Sequence, residues 1–88
     1  MFDLLGTERI HNTEIMLTNL YSEFAELWIK ACELENADPT SIGVELSDSN
    51  PHRKKLAELN SQVHQYEHTL RYLYLRKARR DALITGAY

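Results

Sequence analysis

Apolar residues in the first part of the chain recur at alternating steps of three and four positions. This stripe runs through Ile10, Thr13, Leu17, Leu20, Phe24, Leu27, Ala31 and Leu34. A repeat of about 3.5 residues is typical of a helix that packs lengthwise against another helix. Thr7 follows a glycine and has the hydroxyl that a helix N-cap needs. The pattern predicts a first helix over about residues 8–36.

A second stripe with the same alternation predicts a second long helix. It consists of Leu56, Leu59, Val63, Tyr66, Leu70 and Leu73. Asn50 and Pro51 precede the stripe, and both suit a helix start, because asparagine caps free amides and proline has no amide to satisfy in the first turn. The pattern predicts a helix over about residues 51–82.

The connection predicted between the helices, residues 37–50, is longer than most helix–helix connections. An Asp-Pro pair, a glycine and a polar Ser/Asp/Asn run break helical structure there. Ile42, Val44 and Leu46 alternate with small or polar residues, so an extended segment would have one apolar edge. This edge either packs over the end of the hairpin, which is the favoured interpretation, or serves as a docking strand for another chain.

Charged residues are divided unevenly between the two predicted helices. Through Asn50 the chain has ten acidic and two basic side chains, whereas from Pro51 onward it has eight basic and three acidic ones. If the helices run antiparallel, with facing positions that sum to about 90, opposite charges meet at both ends. Exposed ion pairs select the orientation more than they add stability. The sequence therefore predicts an all-α fold, an antiparallel two-helix hairpin of the coiled-coil type.

Composition sets the size and surroundings of this fold. The 88 residues suffice for one domain, over residues 1–88, whose core would be marginal alone. Cys32 is the only cysteine, which excludes an intramolecular disulfide and suits a reducing compartment. The chain has neither a secretory leader nor an apolar run of about 18–20 residues that would span a bilayer. We therefore expect a cytoplasmic protein with no membrane association and no cofactor.

Several large apolar side chains lie off both stripes, and more of them than a single helix–helix interface covers. A second interface is therefore expected, which gives a four-helix bundle of two hairpins or a hairpin docked on a larger assembly. The alternative is a monomer whose broad apolar face covers the long connection. The predicted interaction residues are Tyr21, Trp28, Ile29, Tyr72 and Leu75.

His64 and His68 lie one helical turn apart around Glu67, in the H-x-x-E-H pattern of a class of zinc enzymes. The spacing suits a metal ion, but that chemistry also needs a third ligand and an enclosing cleft. No histidine or cysteine follows His68, and Tyr66 occupies the stripe, which turns both histidines toward the sides. We therefore expect no enzyme, and the two histidines are weak metal candidates.

Basic and aromatic residues alternate near the end of the second stripe. The basic ones are Arg71, Arg76, Lys77, Arg79 and Arg80. Basic side chains neutralise phosphates and tyrosines stack on bases, so this segment is a candidate site for a nucleic acid or nucleotide. A sequence pI of about 5.7 and the acidic first helix weigh against it. Basic residues are also favoured near a helix C-terminus by the helix dipole alone.

Together these features predict a non-enzymatic protein–protein interaction module that acts through an apolar helix face. Regulators, inhibitors, adaptors and assembly subunits work in this way, and short helical hairpins are common among virus-encoded accessory proteins, an analogy of fold only. The expected partners are a second copy of the chain and another protein. The alternative is an oligomer that binds a nucleic acid or phosphate-bearing nucleotide ligand through the basic C-terminal helix.

Overall fold

The computed structural model describes residues 7–85, which form two long helices and one connection. Helix α1 spans Thr7–Leu34 and helix α2 spans Arg53–Thr85. The helices pack against each other along their length, and the described residues contain no strand. The predicted all-α hairpin is therefore confirmed. It is elongated, with principal extents of 56 × 27 × 17 Å.

The two predicted stripes face each other and form the core. Leu17 and Leu20 of α1 pack with Leu59 and Val63 of α2. The half-buried side chains around this cluster are Phe24, Leu27, Tyr66 and Leu70. The stripes meet because covering their apolar side chains is the main source of stability that two amphipathic helices have.

Two hydrogen bonds between the helices show their direction and register. Tyr21 bonds to Glu67, and Tyr74 bonds to Glu14. An early residue of α1 thus meets a late residue of α2, so the helices are antiparallel, as predicted. The paired numbers sum to 88 in both cases, close to the predicted value of about 90.

The first helix ends two residues earlier than predicted, at Leu34. Asn36 has a φ of 53°, in the left-handed region that asparagine tolerates better than most residues. Its backbone N–H donates to the carbonyl of Glu33 at 3.2 Å, and the N–H of Ala37 donates to the carbonyl of Cys32 at 3.0 Å. These two bonds form a Schellman motif, which satisfies free carbonyls and turns the chain away.

The other helix ends also differ from the predicted positions. Thr7 is the first described residue and is already helical, so its predicted role as the N-cap stays a prediction. Helix α2 continues to Thr85, beyond the predicted end near residue 82.

Leu34, predicted as the last member of the first stripe, is 58% exposed, whereas Ala31 and Cys32 are fully buried. A straight α-helix has 3.6 residues per turn, so a strict seven-residue repeat drifts by about 20° per heptad. After three heptads the drift has carried Leu34 away from α2. Cys32 takes the buried position instead.

Asn50 is buried at the start of α2 and is the predicted cap. Its side-chain oxygen accepts a hydrogen bond from the backbone N–H of His52 at 3.0 Å, within the turn that leads into α2. Helix α2 itself begins at Arg53, two residues after the predicted start. The side-chain amide of Asn50 donates to the carbonyl of Ala31 at 3.1 Å and to Oε1 of Glu35 at 3.0 Å. The predicted cap of α2 is thus also bonded to the end of α1.

The rest of the connection packs unevenly. The indole N–H of Trp28 donates to the carbonyl of Pro39 at 2.9 Å, which holds the connection against α1. Val44 and Leu46 are half-buried, whereas Ile42 is fully exposed. Two of the three side chains of the predicted apolar edge are therefore partly covered by the hairpin itself.

Three close contacts between basic and acidic side chains of the described residues are local in the sequence. Arg53–Asp48 and Lys77–Asp81 are ion pairs, and the third contact lies between the imidazole of His64 and the carboxylate of Glu67. None of these three contacts joins α1 to α2, so the predicted meeting of opposite charges between the helices stays a prediction. The polar contacts described above that do join the helices are tyrosine–glutamate hydrogen bonds.

Candidate functional site

One side of the hairpin carries both tyrosine–glutamate hydrogen bonds. The hydroxyl of Tyr21 donates to Oε2 of Glu67 at 2.6 Å, and the hydroxyl of Tyr74 donates to Oε1 of Glu14 at 3.1 Å. In each helix the two residues are seven positions apart, so they lie on the same side of that helix. The arrangement is reciprocal, because each helix contributes one donor and one acceptor.

An open groove of about 620 Å³ lies beside these bonds, between α1 and α2. Its lining consists of Leu17, Tyr21, Glu67, Leu70, Arg71, Tyr74, Leu75 and Ala78. Leu17 is buried and Leu70 half-buried, so they form an apolar floor. Tyr21, Tyr74 and Leu75 are 48%, 47% and 60% exposed, and they form its walls. The groove therefore leaves apolar surface in contact with water.

The two tyrosines of the groove keep their hydroxyl protons at neutral pH. The hydrogen bond to Glu67 raises the pKa of Tyr21 above its ordinary value of 10.0, and burial and the charge on Glu67 act in the same direction. The hydrogen bond to Glu14 likewise raises the pKa of Tyr74, with burial and the charge on Glu14 adding to it. Both tyrosines thus stay donors to these carboxylates.

The five predicted interaction residues do not all line the groove. Tyr21 and Leu75 line the groove. Ile29 is exposed outside it. Tyr72 is exposed and does not line the groove either, and the guanidinium of Arg76 lies 5.8 Å from the centre of its ring. Only two of the five therefore belong to the groove.

Trp28, the fifth predicted interaction residue, takes part in the packing of the hairpin itself. Its ring stacks on Phe24 at 6.4 Å between centroids, with an interplanar angle of 12°. Its indole N–H is bonded to the carbonyl of Pro39. Because both the face and the polar edge of the ring are in use, the structure places Trp28 at the contact between α1 and the connection.

Sequence reasoning missed the two carboxylates of this side and assigned Leu17 and Leu70 only to the core. A signal for Glu14 and Glu67 is present in the sequence, because each precedes a tyrosine of the same helix by seven residues. Stripes assigned from apolar residues alone do not reveal a polar residue with the same spacing.

The five predicted polyanion-binding residues fall into three environments. Arg71 lines the groove. Lys77 forms an ion pair with Asp81 at 2.8 Å, so its charge is already balanced. The remaining three line a shallow depression of about 220 Å³ together with a leucine, and the four residues are Arg76, Arg79, Arg80 and Leu83.

The position of this arginine cluster excludes one of the explanations given above. Helix α2 continues to Thr85, and its last turn has no basic residue. Because the helix dipole acts within the last turn, it does not account for a cluster that ends at Arg80.

His64 and His68 are both exposed on α2. Nδ1 of His64 lies 3.5 Å from Oε1 of Glu67, whose other oxygen accepts the hydrogen bond of Tyr21. Across residues 7–85, no group of three or more histidine, cysteine, aspartate or glutamate side chains is placed to hold a metal ion.

Cys32 is a packing residue in this structure. It is fully buried near the end of α1, and its thiol is free. Burial raises the pKa of this thiol above its ordinary value of 9.0, and the charges of Asp38 and Glu35 raise it further. The thiol is therefore neutral at physiological pH and behaves as a small apolar group.

No protein-family model matches this chain, and no curated protein or solved structure matches it either. Between residues 7 and 85, neither helix combines the length and the apolar character that crossing a membrane requires.

Proposed function

We propose that this chain is a non-enzymatic protein–protein interaction module that takes up an amphipathic helix of its partner along the groove. Regulators, inhibitors, adaptor proteins and assembly subunits all bind their partners through such a contact. The observation that carries the proposal is the apolar groove beside two reciprocal tyrosine–glutamate bonds. We place the module in the cytoplasm, where the free thiol of Cys32 stays reduced.

The residues of the groove are those that protein interfaces favour. Protein interfaces are enriched in tyrosine and arginine around an apolar centre, and here Tyr21, Tyr74 and Arg71 surround Leu17 and Leu70. A helix with apolar side chains at positions i, i+3 or i+4, and i+7 would cover this floor along its length. The composition thus supports a protein partner rather than a small polar ligand.

The wall residues of the groove expose apolar surface that such a partner would bury. Leu75 is 60% exposed on the isolated hairpin, and covering it stabilises a complex by about 1–2 kcal/mol. Tyr21 and Tyr74 add aromatic surface with few side-chain torsions to immobilise. Their hydroxyls are already bonded to Glu67 and Glu14, so no unpaired polar group is buried with the rings.

Site-specific photo-crosslinking tests this function directly. A photoreactive residue replaces Leu75 in the full chain, and in a matched control it replaces Leu83, which lies outside the groove on the same helix and is 70% exposed. In cells that make the protein, we expect covalent adducts with protein from position 75 and few from position 83. Equal yields from both positions, or none from position 75, would contradict the proposal.

Arg76, Arg79 and Arg80 support a second candidate function, in which an oligomer binds a nucleic acid or phosphate-bearing nucleotide through α2. These arginines line one depression and have no ion-pair partner among the described residues. Guanidinium groups pair with phosphate oxygens through two parallel hydrogen bonds, which suits three arginines close together. Tyr72 adds an exposed ring beside Arg76.

Binding assays with labelled single-stranded, duplex and cyclic nucleotide ligands test this second function. We expect affinity that falls as salt concentration rises, because phosphate contacts release counterions. Arg79→Glu combined with Arg80→Glu would abolish it. The control reverses the same number of charges at Lys54 and Lys55, outside the depression. An absence of binding at any salt concentration, or an equal loss in both variants, would exclude this function.

A further inference from the structure

We propose that the partner in the groove is a second copy of this chain, so that two hairpins form a two-fold symmetric four-helix bundle. The inference rests on the proposed function and names the occupant of the same groove. Three properties of the hairpin support it: its uncovered area, the charges around the groove and the symmetry of the tyrosine–glutamate bonds.

The hairpin exposes more surface than a compact chain of its mass. Its accessible surface is 6869 Å², whereas a compact monomer of 10.3 kDa exposes about 5,400 Å². The excess, about 1,500 Å² on the same scaling, is larger than the roughly 800 Å² that each partner buries in an interface of standard size. A second copy of the chain therefore has ample surface to cover.

The cause of this excess is the single layer of helices. The radius of gyration is 18.2 Å, against about 12 Å for a compact chain of this length. Stable domains pack at least two layers around a core. A second hairpin laid over the groove supplies that layer and gives an arrangement common among four-helix bundles.

The charges around the groove complement one another when the surface meets a copy of itself. Arg71 lines the groove and has no ion-pair partner among the described residues. Glu14 and Glu67 place carboxylates on the same side of the hairpin. In a two-fold interface each contact occurs twice, so an ion pair between Arg71 of one copy and a carboxylate of the other would form two times.

The reciprocal hydrogen bonds give this side of the hairpin an approximate two-fold symmetry of its own. Tyr21 and Glu67 are related to Tyr74 and Glu14 by exchange of the two helices, since both pairs join positions that sum to 88. The surface thus presents similar groups toward both of its ends. Such a surface is suited to an isologous contact, in which the same patch occurs on both partners.

The mass of the full chain in solution tests this inference. Sedimentation equilibrium over a wide range of protein concentration is expected to give twice the chain mass of 10.3 kDa at high concentration. Leu75→Asp is expected to raise the dimer dissociation constant tenfold or more, about the effect of losing an interface anchor. Leu75→Gln is a second test, because glutamine is a good helix former and does not perturb α2 as aspartate can. It is also expected to raise the dimer dissociation constant.

Controls separate the groove from the rest of the surface. Ile84→Asp places the same charge outside both the groove and the arginine depression and is expected to leave the mass unchanged. Circular dichroism checks that each variant stays helical. Arg71→Glu is expected to weaken the dimer. Mixing that variant with chains that carry Glu14→Arg or Glu67→Arg is expected to restore a mixed dimer, whereas no recovery with either would overturn the proposed contact.

The outcomes also distinguish this inference from the proposed function. A monomer at every concentration would show that the partner is not a second copy of the chain. The proposed function would still hold if position 75 crosslinked to a different protein. A dimer that is unaffected by both Leu75 variants overturns the assignment to the groove. A monomer that also gives no adduct from position 75 rejects both proposals.

Discussion

The side-chain amide of Asn50 donates a hydrogen bond to the backbone carbonyl of Ala31, 3.1 Å away, across the closed end of the hairpin. The same amide donates to Glu35 at 3.0 Å, and the side-chain oxygen accepts from the backbone N–H of His52 at 3.0 Å. One buried side chain thus satisfies polar groups at the end of α1 and at the start of α2. The relative position of the helices is therefore fixed at this residue.

Asn50→Ala is expected to lower the free energy of unfolding by about 2–3 kcal/mol, because it removes a helix cap and leaves a buried carbonyl without its donor. Asn50→Asp keeps the cap but loses both donated bonds and places a carboxylate beside Glu35, so it also destabilises. Urea denaturation at one fixed protein concentration measures both. The control, Asn19→Ala, replaces an exposed asparagine of α1 and changes stability by less than about 0.5 kcal/mol. Equal effects at the two positions would contradict the role of Asn50.

The lowered pKa of Glu35 makes the stability of the hairpin depend on pH in the acid range. Hydrogen bonds from the side chains of Asn50 and Ser47, and from the backbone of Ser47, hold the pKa of Glu35 below its ordinary value of 4.5. A lowered pKa in the folded state contributes stability that is present above pH 4.5 and is lost as the pH falls through the folded-state pKa. Glu35→Gln is therefore expected to flatten the fall of stability below pH 4.5.

Denaturation curves between neutral pH and acid pH test this dependence on Glu35. The difference between the native chain and Glu35→Gln should be constant near neutral pH and shrink below pH 4.5. Glu33→Gln is the matched control, because Glu33 is exposed near the end of α1, two residues before Glu35, and its carboxylate makes no hydrogen bond to a described residue. A difference that does not change with pH would contradict the prediction for Glu35.

The fold was predictable because each stripe repeats the apolar spacing of a helix over many turns. The end of α1 was not, since it depends on the left-handed conformation of Asn36 and on drift that accumulates along the helix. A stripe drawn with a fixed seven-residue repeat includes Leu34 and omits Cys32, whereas the straight helix buries Cys32. Periodicity therefore predicts the middle of a helix better than its last turn.

Leu59 and Leu34 test this drift directly, because the sequence places both in the predicted stripes. Leu59 is 1% exposed and Leu34 is 58% exposed. Leu59→Ala is expected to cost about 2–4 kcal/mol, from lost burial and the cavity left behind. Leu34→Ala is expected to change the free energy of unfolding by less than about 0.5 kcal/mol. Similar losses for both leucines would show that Leu34 is buried in solution.

The candidate site was predictable only in part. Tyr21 and Leu75 stood out because they are large apolar residues off the stripes. Which of those residues share a surface depends on the rotation of each helix and on the path of the connection. The bond between Trp28 and the carbonyl of Pro39 has no side-chain pattern that would reveal it, because the acceptor belongs to the backbone.

Trp28→Phe separates a role in the hairpin from a role at a partner surface. The phenyl ring keeps the stack on Phe24 but loses the hydrogen bond to Pro39, so we expect a loss of about 1 kcal/mol in stability. The sedimentation mass is expected to stay that of the native chain. Tyr72→Phe serves as a control for a ring whose hydroxyl has no partner among the described residues. A change in mass without a change in stability would place Trp28 at an interface instead.

Tyr21 and Tyr74 predict the behaviour of the hairpin in alkali. Their bonds to Glu67 and Glu14 raise both pKa values above 10.0 in the folded state. A raised folded-state pKa contributes stability that is fully present below pH 10.0 and is lost as the pH rises through the folded-state pKa. Ionised tyrosines would also repel the carboxylates that accept hydrogen bonds from the neutral hydroxyls.

The double variant Tyr21→Phe, Tyr74→Phe is therefore expected to be less stable than the native chain at neutral pH and to lose less stability above pH 10.0. Denaturation curves from neutral pH into alkali measure this convergence, and Tyr72→Phe supplies the matched control outside the groove. Each single variant should show part of the effect, because the two bonds are separate contacts. If the native and double-variant curves stay parallel throughout, the two hydrogen bonds do not form in solution.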